Sequence, residues 1–126
     1  MNFKLKTSKE TMKIFTDLSN SLHLQPYILS KISIALSLKC KQMLDEKDFL
    51  TDNEGIELNR QTITGEYDEL FKALIISNNN EKLDDDQYFP KYIKAHLDRG
   101  AKILYSQYRY NPSNFYKNII NIDSTI

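Results

Sequence analysis

The stretch MNFKLKTSKETMKIFTDLSNSLHLQPYILSKISIALSLKCKQML, residues 1 to 44, decides the fold. Its opening alternates: Phe3, Leu5 and Thr7 fall on one face, Asn2, Lys4 and Lys6 on the other. That pattern predicts a half-buried strand with two lysines turned outward. Thr7 followed three residues later by Glu10 predicts a capping box opening a helix from about Ser8 to Leu22. Met12, Phe15, Leu18 and Leu22, widened by Ile14, form its buried stripe, while Lys9, Lys13 and Asp17 lie opposite. The helix stops near His23, and Pro26 is placed to start a second helix running to about Leu44.

A lone strand cannot satisfy its own backbone groups. The simplest supplier of a partner is the same strand from a second copy of the chain. Two such strands make an antiparallel ribbon about as wide as the DNA major groove. The expected fold is therefore mainly α, with a ribbon-helix-helix-like N-terminal unit extended by further helices. The second helix carries Ile28, Leu29, Ile32, Ile34, Ala35, Leu36 and Leu38 on more than one side, so part of it is expected at a dimer interface.

Beyond this unit, Asp45 to Gly55 reads as a loop whose Phe49 and Leu50 dock into the core. Ile56 to Thr64 is either a second short strand or an extended crossing segment. Glu66 to Ser77 is expected as a helix with Tyr67, Leu70, Phe71, Leu74 and Ile75 inward. Asn78 to Asp86 is a polar acidic loop. Pro90 opens a last long helix to about Tyr108, in which Gly100 costs about 1 kcal/mol relative to Ala and signals close packing. The tail from residue 111, with Phe115, Tyr116, Ile119 and Ile120, adds at most a helical turn or two. The 126 residues make one domain, with 1 to 44 facing DNA, 45 to 110 supplying acidic loops and packing helices, and 111 to 126 a tail.

Net charge is zero but segregated. Residues 1 to 43 hold seven lysines against Glu10 and Asp17, residues 44 to 90 hold four basic and thirteen acidic residues, and residues 91 to 126 hold six and two. One face can meet phosphates and another can meet protein. The single Cys40 excludes an internal disulfide and fits a reducing cytoplasm, and no segment reaches the ~18 apolar residues of a membrane span.

Lys4, Lys6, Lys9 and Lys13 are the leading candidates for phosphate contact. As point charges they position a backbone rather than read bases, and Asn2 sits at the terminus. The first turn of the second helix is a further anion site that Ser30 and Lys31 could assist. Asp84, Asp85 and Asp86 diverge and match no EF-hand spacing, so they read as a solvated loop. His23 is a helix-end residue, His96 a helix-surface or core-edge residue, and neither has metal-ligand spacing; Cys40 packs within the second helix. The absence of P-loop, GxGxxG, GxSxG and HExxH patterns argues against an autonomous enzyme or a cofactor.

The blocks FKLKTSKET (3 to 11), LQPYILSKISIALSLK (24 to 39), GIELNRQTITGEYDELFKALI (55 to 75) and PKYIKAHLDRG (90 to 100) together resemble the DndE family of bacterial DNA phosphorothioation proteins. The resemblance implies a compact helical protein forming a homo-oligomer, a tetramer, that binds double-stranded DNA through surface lysines. It implies DndC and DndD as partners in a complex that replaces a non-bridging phosphate oxygen with sulfur, the sulfur and iron–sulfur chemistry residing in other subunits. Carried onto this chain, the DNA contacts are Lys4, Lys6, Lys9, Lys13 and Lys31. His23 stands where the family commonly has a small glycine, and Tyr27 where a small polar residue is expected. The sequence reading is thus a cytoplasmic, non-catalytic subunit that holds DNA by its backbone. The rivals are a stand-alone ribbon-helix-helix regulator and a protein scaffold without DNA contact.

Overall fold

The structure is a computed structural model of the 126-residue chain and describes residues 4 to 79 and 83 to 110. Asn2, part of the acidic stretch at 80 to 82, and the tail from residue 111 lie outside the described residues. Strand β1 (Lys4–Lys6) leads into α1 (Lys9–Leu22) and α2 (Pro26–Lys39). A 3-10 turn (Glu46–Phe49) precedes β2 (Glu57–Asn59), which runs directly into the short helix α3 (Arg60–Ile63). Then follow α4 (Asp68–Asn79), the single turn α5 (Asp85–Gln87), a π-helical segment (Tyr88–Ile93) and α6 (Lys94–Tyr110). The fold is mainly helical with a short two-stranded antiparallel sheet at its N-terminal end, as the sequence predicts.

The strand's partner is the main correction. β1 pairs with β2 of its own chain, Lys4 opposite Asn59, Leu5 opposite Leu58 and Lys6 opposite Glu57. Of the ambiguous segment Ile56 to Thr64, Glu57–Asn59 is therefore a strand, but Arg60–Ile63 is a short helix that neither alternative foresaw, and β1 takes its strand partner from its own chain. Gly55 makes this possible: a Cβ there would lie 2.2 Å from both Ser8 O and Thr7 Oγ1. Thr7 extends the pairing, its amide donating to Ile56 O at 2.9 Å and its carbonyl accepting from Gly55 N at 2.9 Å.

The cap of α1 also sits one residue later than the capping-box pattern predicts. Ser8 is the N-cap and its Oγ accepts from the Thr11 amide at 3.1 Å, while Thr7 serves the sheet. Thr11, Ile14, Phe15 and Leu18 form the buried stripe. His23 ends the helix in the left-handed conformation, φ 58° and ψ 34°, with its amide bonded to Ser19 O. This is the turn geometry that glycine suits best, and histidine tolerates it better than most residues.

The apolar second helix is covered inside the chain. α6 packs along it, and α1, α3 and α4 close other sides, so Leu29, Ile34 and Leu36 are buried without a second copy. Closest approach is at Gly100, where an added Cβ would fall 1.7 Å from the Ser33 carbonyl oxygen. Ser30, Ser33 and Ser37 line this contact, fully buried and small enough to admit it. α2 ends at Lys39, five residues early, and Cys40 lies half-buried just beyond it. Arg99 holds the chain as it leaves α2. Its guanidinium donates to Ser37 O at 2.7 Å in the last turn, and to Gln42 O at 3.0 Å and Met43 O at 3.2 Å beyond it.

In α4 the inward set is smaller than the spacing suggests. Ile75 is buried, whereas Leu70 and Leu74 are exposed, as is Tyr67 in the 3-10 turn (Gly65–Tyr67) just before the helix. Leu50 is likewise 80% exposed, leaving Phe49 alone to reach inward, edge-on to Tyr92 at 5.1 Å. The last helix starts later than Pro90, because residues 88 to 93 take a π-helical turn that buries Tyr88, Phe89 and Ile93 together. Among the described residues, no helix is long and apolar enough to cross a membrane.

Candidate nucleic-acid interface

All five candidate lysines are solvent-exposed. Lys4 and Lys6 occupy the outer face of the sheet, with Leu5 buried between them. The pairing register sets Glu57 and Asn59 beside them on that face, and Lys4 Nζ approaches Glu57 Oε2 at 3.8 Å. Both partners are more than half exposed, so the pair is worth well under ~1 kcal/mol and leaves the ammonium available. Lys9 and Lys13 follow on α1, one turn apart on its solvent side. Lys31 stands on a separate helix, its ammonium 5.7 Å from the centre of the Tyr27 ring.

What places the strand lysines next to the helix lysines is a buried polar knot. Asp98 of α6, 1% exposed, accepts from the Ser8 amide at 3.1 Å and the Thr11 hydroxyl at 2.7 Å. Its other oxygen accepts from the Thr51 hydroxyl at 2.7 Å and from Lys94 Nζ at 2.8 Å, and Lys94 also donates to Thr51 Oγ1 at 2.5 Å. A carboxylate so deep is tolerated because each oxygen is fully occupied. The knot bolts the β1–α1 junction to α6 and to the loop at residue 51. Outside it, Asp52 Oδ1 accepts from the Lys9 and Glu54 amides, at 2.8 and 3.0 Å, which holds its carboxyl below the usual range.

A second knot fixes β2 and α3. Arg60 donates to Asp68 through Nε at 3.1 Å and Nη2 at 2.5 Å, while the Thr64 and Tyr88 hydroxyls donate to Asp68 Oδ1 at 2.6 and 3.0 Å. Burial raises the Asp68 pKa, but these donors outweigh it and the net shift is downward. Burial and the neighbouring Asp68 charge together push the Tyr88 phenol far up. Arg60 also lies over the Tyr88 and Phe89 rings, at 5.2 and 5.5 Å.

Other expectations change. Ser30 is buried and its hydroxyl turns back to Pro26 O at 2.8 Å, so it does not serve an anion at the start of α2. His96, expected at a surface or core edge, is fully buried; desolvation, then the nearby Arg99 charge, lower its pKa to about 3. Arg99 Nε donates to Ser37 Oγ at 2.8 Å, and the same hydroxyl shares a hydrogen bond with His96 Nδ1 at 2.8 Å. His96 Nε2 is buried with no hydrogen-bond partner among the described residues. Asp84 is exposed and precedes the single turn Asp85–Gln87, with no side-chain cap hydrogen bond to it. Among the described residues no group of three or more His, Cys, Asp or Glu is arranged to hold a metal ion.

Two features escape sequence reasoning. Asp98 and Lys94 look like an ordinary solvent-facing i, i+4 pair, and only the tertiary fold buries them. A groove of about 470 Å³ runs between α1 and α6, lined by Glu10, Ile14, Lys102, Tyr105, Arg109 and Tyr110. Its two cations come from the C-terminal basic segment, which spacing alone does not connect to α1.

The family model for DNA sulphur modification protein DndE matches residues 4 to 111. Among solved structures the fold is similar to DndE from Escherichia coli B7A, involved in DNA phosphorothioation modification, with a TM-score of 0.65 at 15% identity over 80% of this chain and 96% of that one. It is also similar to a DndE G21/24K mutant involved in DNA phosphorothioation, with a TM-score of 0.62 at 16% identity over 82% and 97%. No curated protein sequence matches the chain.

Proposed function

The chain belongs to the DndE family of DNA sulphur modification proteins, and from that premise we propose that it is a non-catalytic subunit holding double-stranded DNA by its phosphate backbone. The observation that carries this reading is the exposure of Lys4, Lys6, Lys9 and Lys13 on one strand and the helix that follows it, held together by the buried Asp98 knot. Lys31 adds a fifth contact from α2. Ammonium groups on flexible stems suit phosphate oxygens and give little base discrimination. The rival reading, a regulator whose recognition ribbon is built from two copies, loses support because β1 finds its partner within the chain.

In this reading the protein works in the cytoplasm as a homo-oligomer, a tetramer, and presents DNA to the DndC and DndD components that carry out sulfur transfer. The acidic middle of the chain offers the protein-facing side, with Tyr67, Leu70 and Leu74 exposed among Glu66 and Glu69. A pure scaffold without DNA contact would use the same side and ignore the lysines.

The test is a salt titration of binding to a random-sequence duplex. Each phosphate neutralised adds about 0.9 to the slope of log K against log salt, so five lysines give a slope near −4 to −5. Lys4→Ala/Lys6→Ala should flatten it by about 2. A slope unchanged by the double substitution, or a preference of ~10³ for one operator sequence, would sink this reading.

A further inference from the structure

We propose that the groove between α1 and α6 binds an unpaired segment of DNA, a single strand whose base stacks on Tyr110 while its phosphates meet Arg109 and Lys102. This deepens the DNA-holding role and rests on that reading. The groove's volume of about 470 Å³ is in the range of small-ligand sites. Lys102 and Arg109, seven residues apart, lie on one ridge of α6. Arg109 lies over the Tyr105 ring at 5.6 Å, and the Tyr105 hydroxyl donates to Asp17 at 2.8 Å, which braces that ring against α1. Tyr110 is 93% exposed. Cations beside an open aromatic face are the elements with which proteins hold single strands.

Duplex DNA cannot use that aromatic face, because its bases are stacked on one another and shown only by their edges. The opposing charges are Asp17, engaged by the Tyr105 hydroxyl, and Glu10, which lies 3.7 Å from Lys102 with both side chains more than half exposed. Such a pair is weak and yields to a phosphate. Lys13 lies one turn from both Glu10 and Asp17, so the groove borders the lysine face of α1 and a strand leaving a duplex held there reaches it directly.

The test measures fluorescence anisotropy of a labelled thymidine strand of about ten nucleotides, an abasic strand of equal length and charge, and a random duplex. The full chain should bind the thymidine strand about 5-fold or more tighter than the abasic one. Tyr110→Leu should erase that ratio while leaving duplex affinity within about 2-fold, and Glu10→Gln should tighten both strands. Equal affinity for the two strands, or a ratio that survives Tyr110→Leu, overturns the groove assignment. Duplex binding without base preference overturns this proposal alone, whereas failure to bind either strand or duplex overturns the DNA-holding role with it.

Discussion

Gly100→Ala is a substitution for which two physical effects predict opposite signs. Gly100 lies inside α6, and helix propensity alone makes alanine there about 1 kcal/mol more stable. Packing says the reverse. The new methyl would sit 1.7 Å from the Ser33 carbonyl oxygen, a backbone atom of α2 that cannot rotate away. To restore even a tight contact, α2 and α6 must part by more than an ångström along the seam where Ser37 meets His96 and Arg99 at 2.8 Å. Overpacking of this kind costs about 1–3 kcal/mol, and loss of the buried hydrogen bonds adds about 1–3 more. The net expectation is a loss of about 3 kcal/mol, which lowers the urea midpoint by about 1–3 M. Equilibrium urea unfolding followed by far-UV circular dichroism reads it directly. A midpoint equal to or above that of the unsubstituted chain would refute the close helix contact.

Three further outcomes follow from buried or strained positions. His23→Gly should raise stability by about 0.5–1 kcal/mol, since left-handed strain of about 1–2 kcal/mol outweighs glycine's extra chain entropy; a thermal melt reads the gain, and a fall would contradict the turn geometry. His96 has its pKa lowered from 6.5 to about 3, so the folded state binds fewer protons than the unfolded one and stability present above 6.5 drains away as pH falls. Between about pH 7.5 and about pH 5.5 the chain should lose roughly 1 kcal/mol that His96→Gln does not lose, as urea unfolding at the two pH values would show. Asp98→Ala strands the buried Lys94 ammonium and frees the cap of α1, costing about 3–5 kcal/mol in the same unfolding assay; a loss below ~1 kcal/mol would mean the knot is not closed.

The helical frame was readable because it is written in local periodicity. Phe15 and Leu18 are buried where the stripe of α1 predicts, and the close packing that Gly100 signals is the α2–α6 seam. The exposure of the five lysines was readable because alternation and helical spacing turn them outward. What failed depended on partners distant in sequence. Leu5 shows that β1 is half-buried, but not that its partner lies more than fifty residues on in the same chain. Tyr67, Leu70 and Leu74 have core-like spacing and are nonetheless exposed, because α4 is covered on one side only. Asp98, Lys94 and His96 are polar letters whose burial is decided by what packs on them, and the α1–α6 groove needs two segments about ninety residues apart to meet.

That separation also sets an order of events during synthesis. The start of α1 takes its buried acceptor from Asp98, ninety positions later in the chain. At about 5–20 residues per second, a nascent chain carries its N-terminal strand and lysines for roughly 5–20 s before the anchoring carboxylate exists. The β1–α1 unit leaves the ribosome well before the carboxylate that anchors it and is among the last parts to be locked in place.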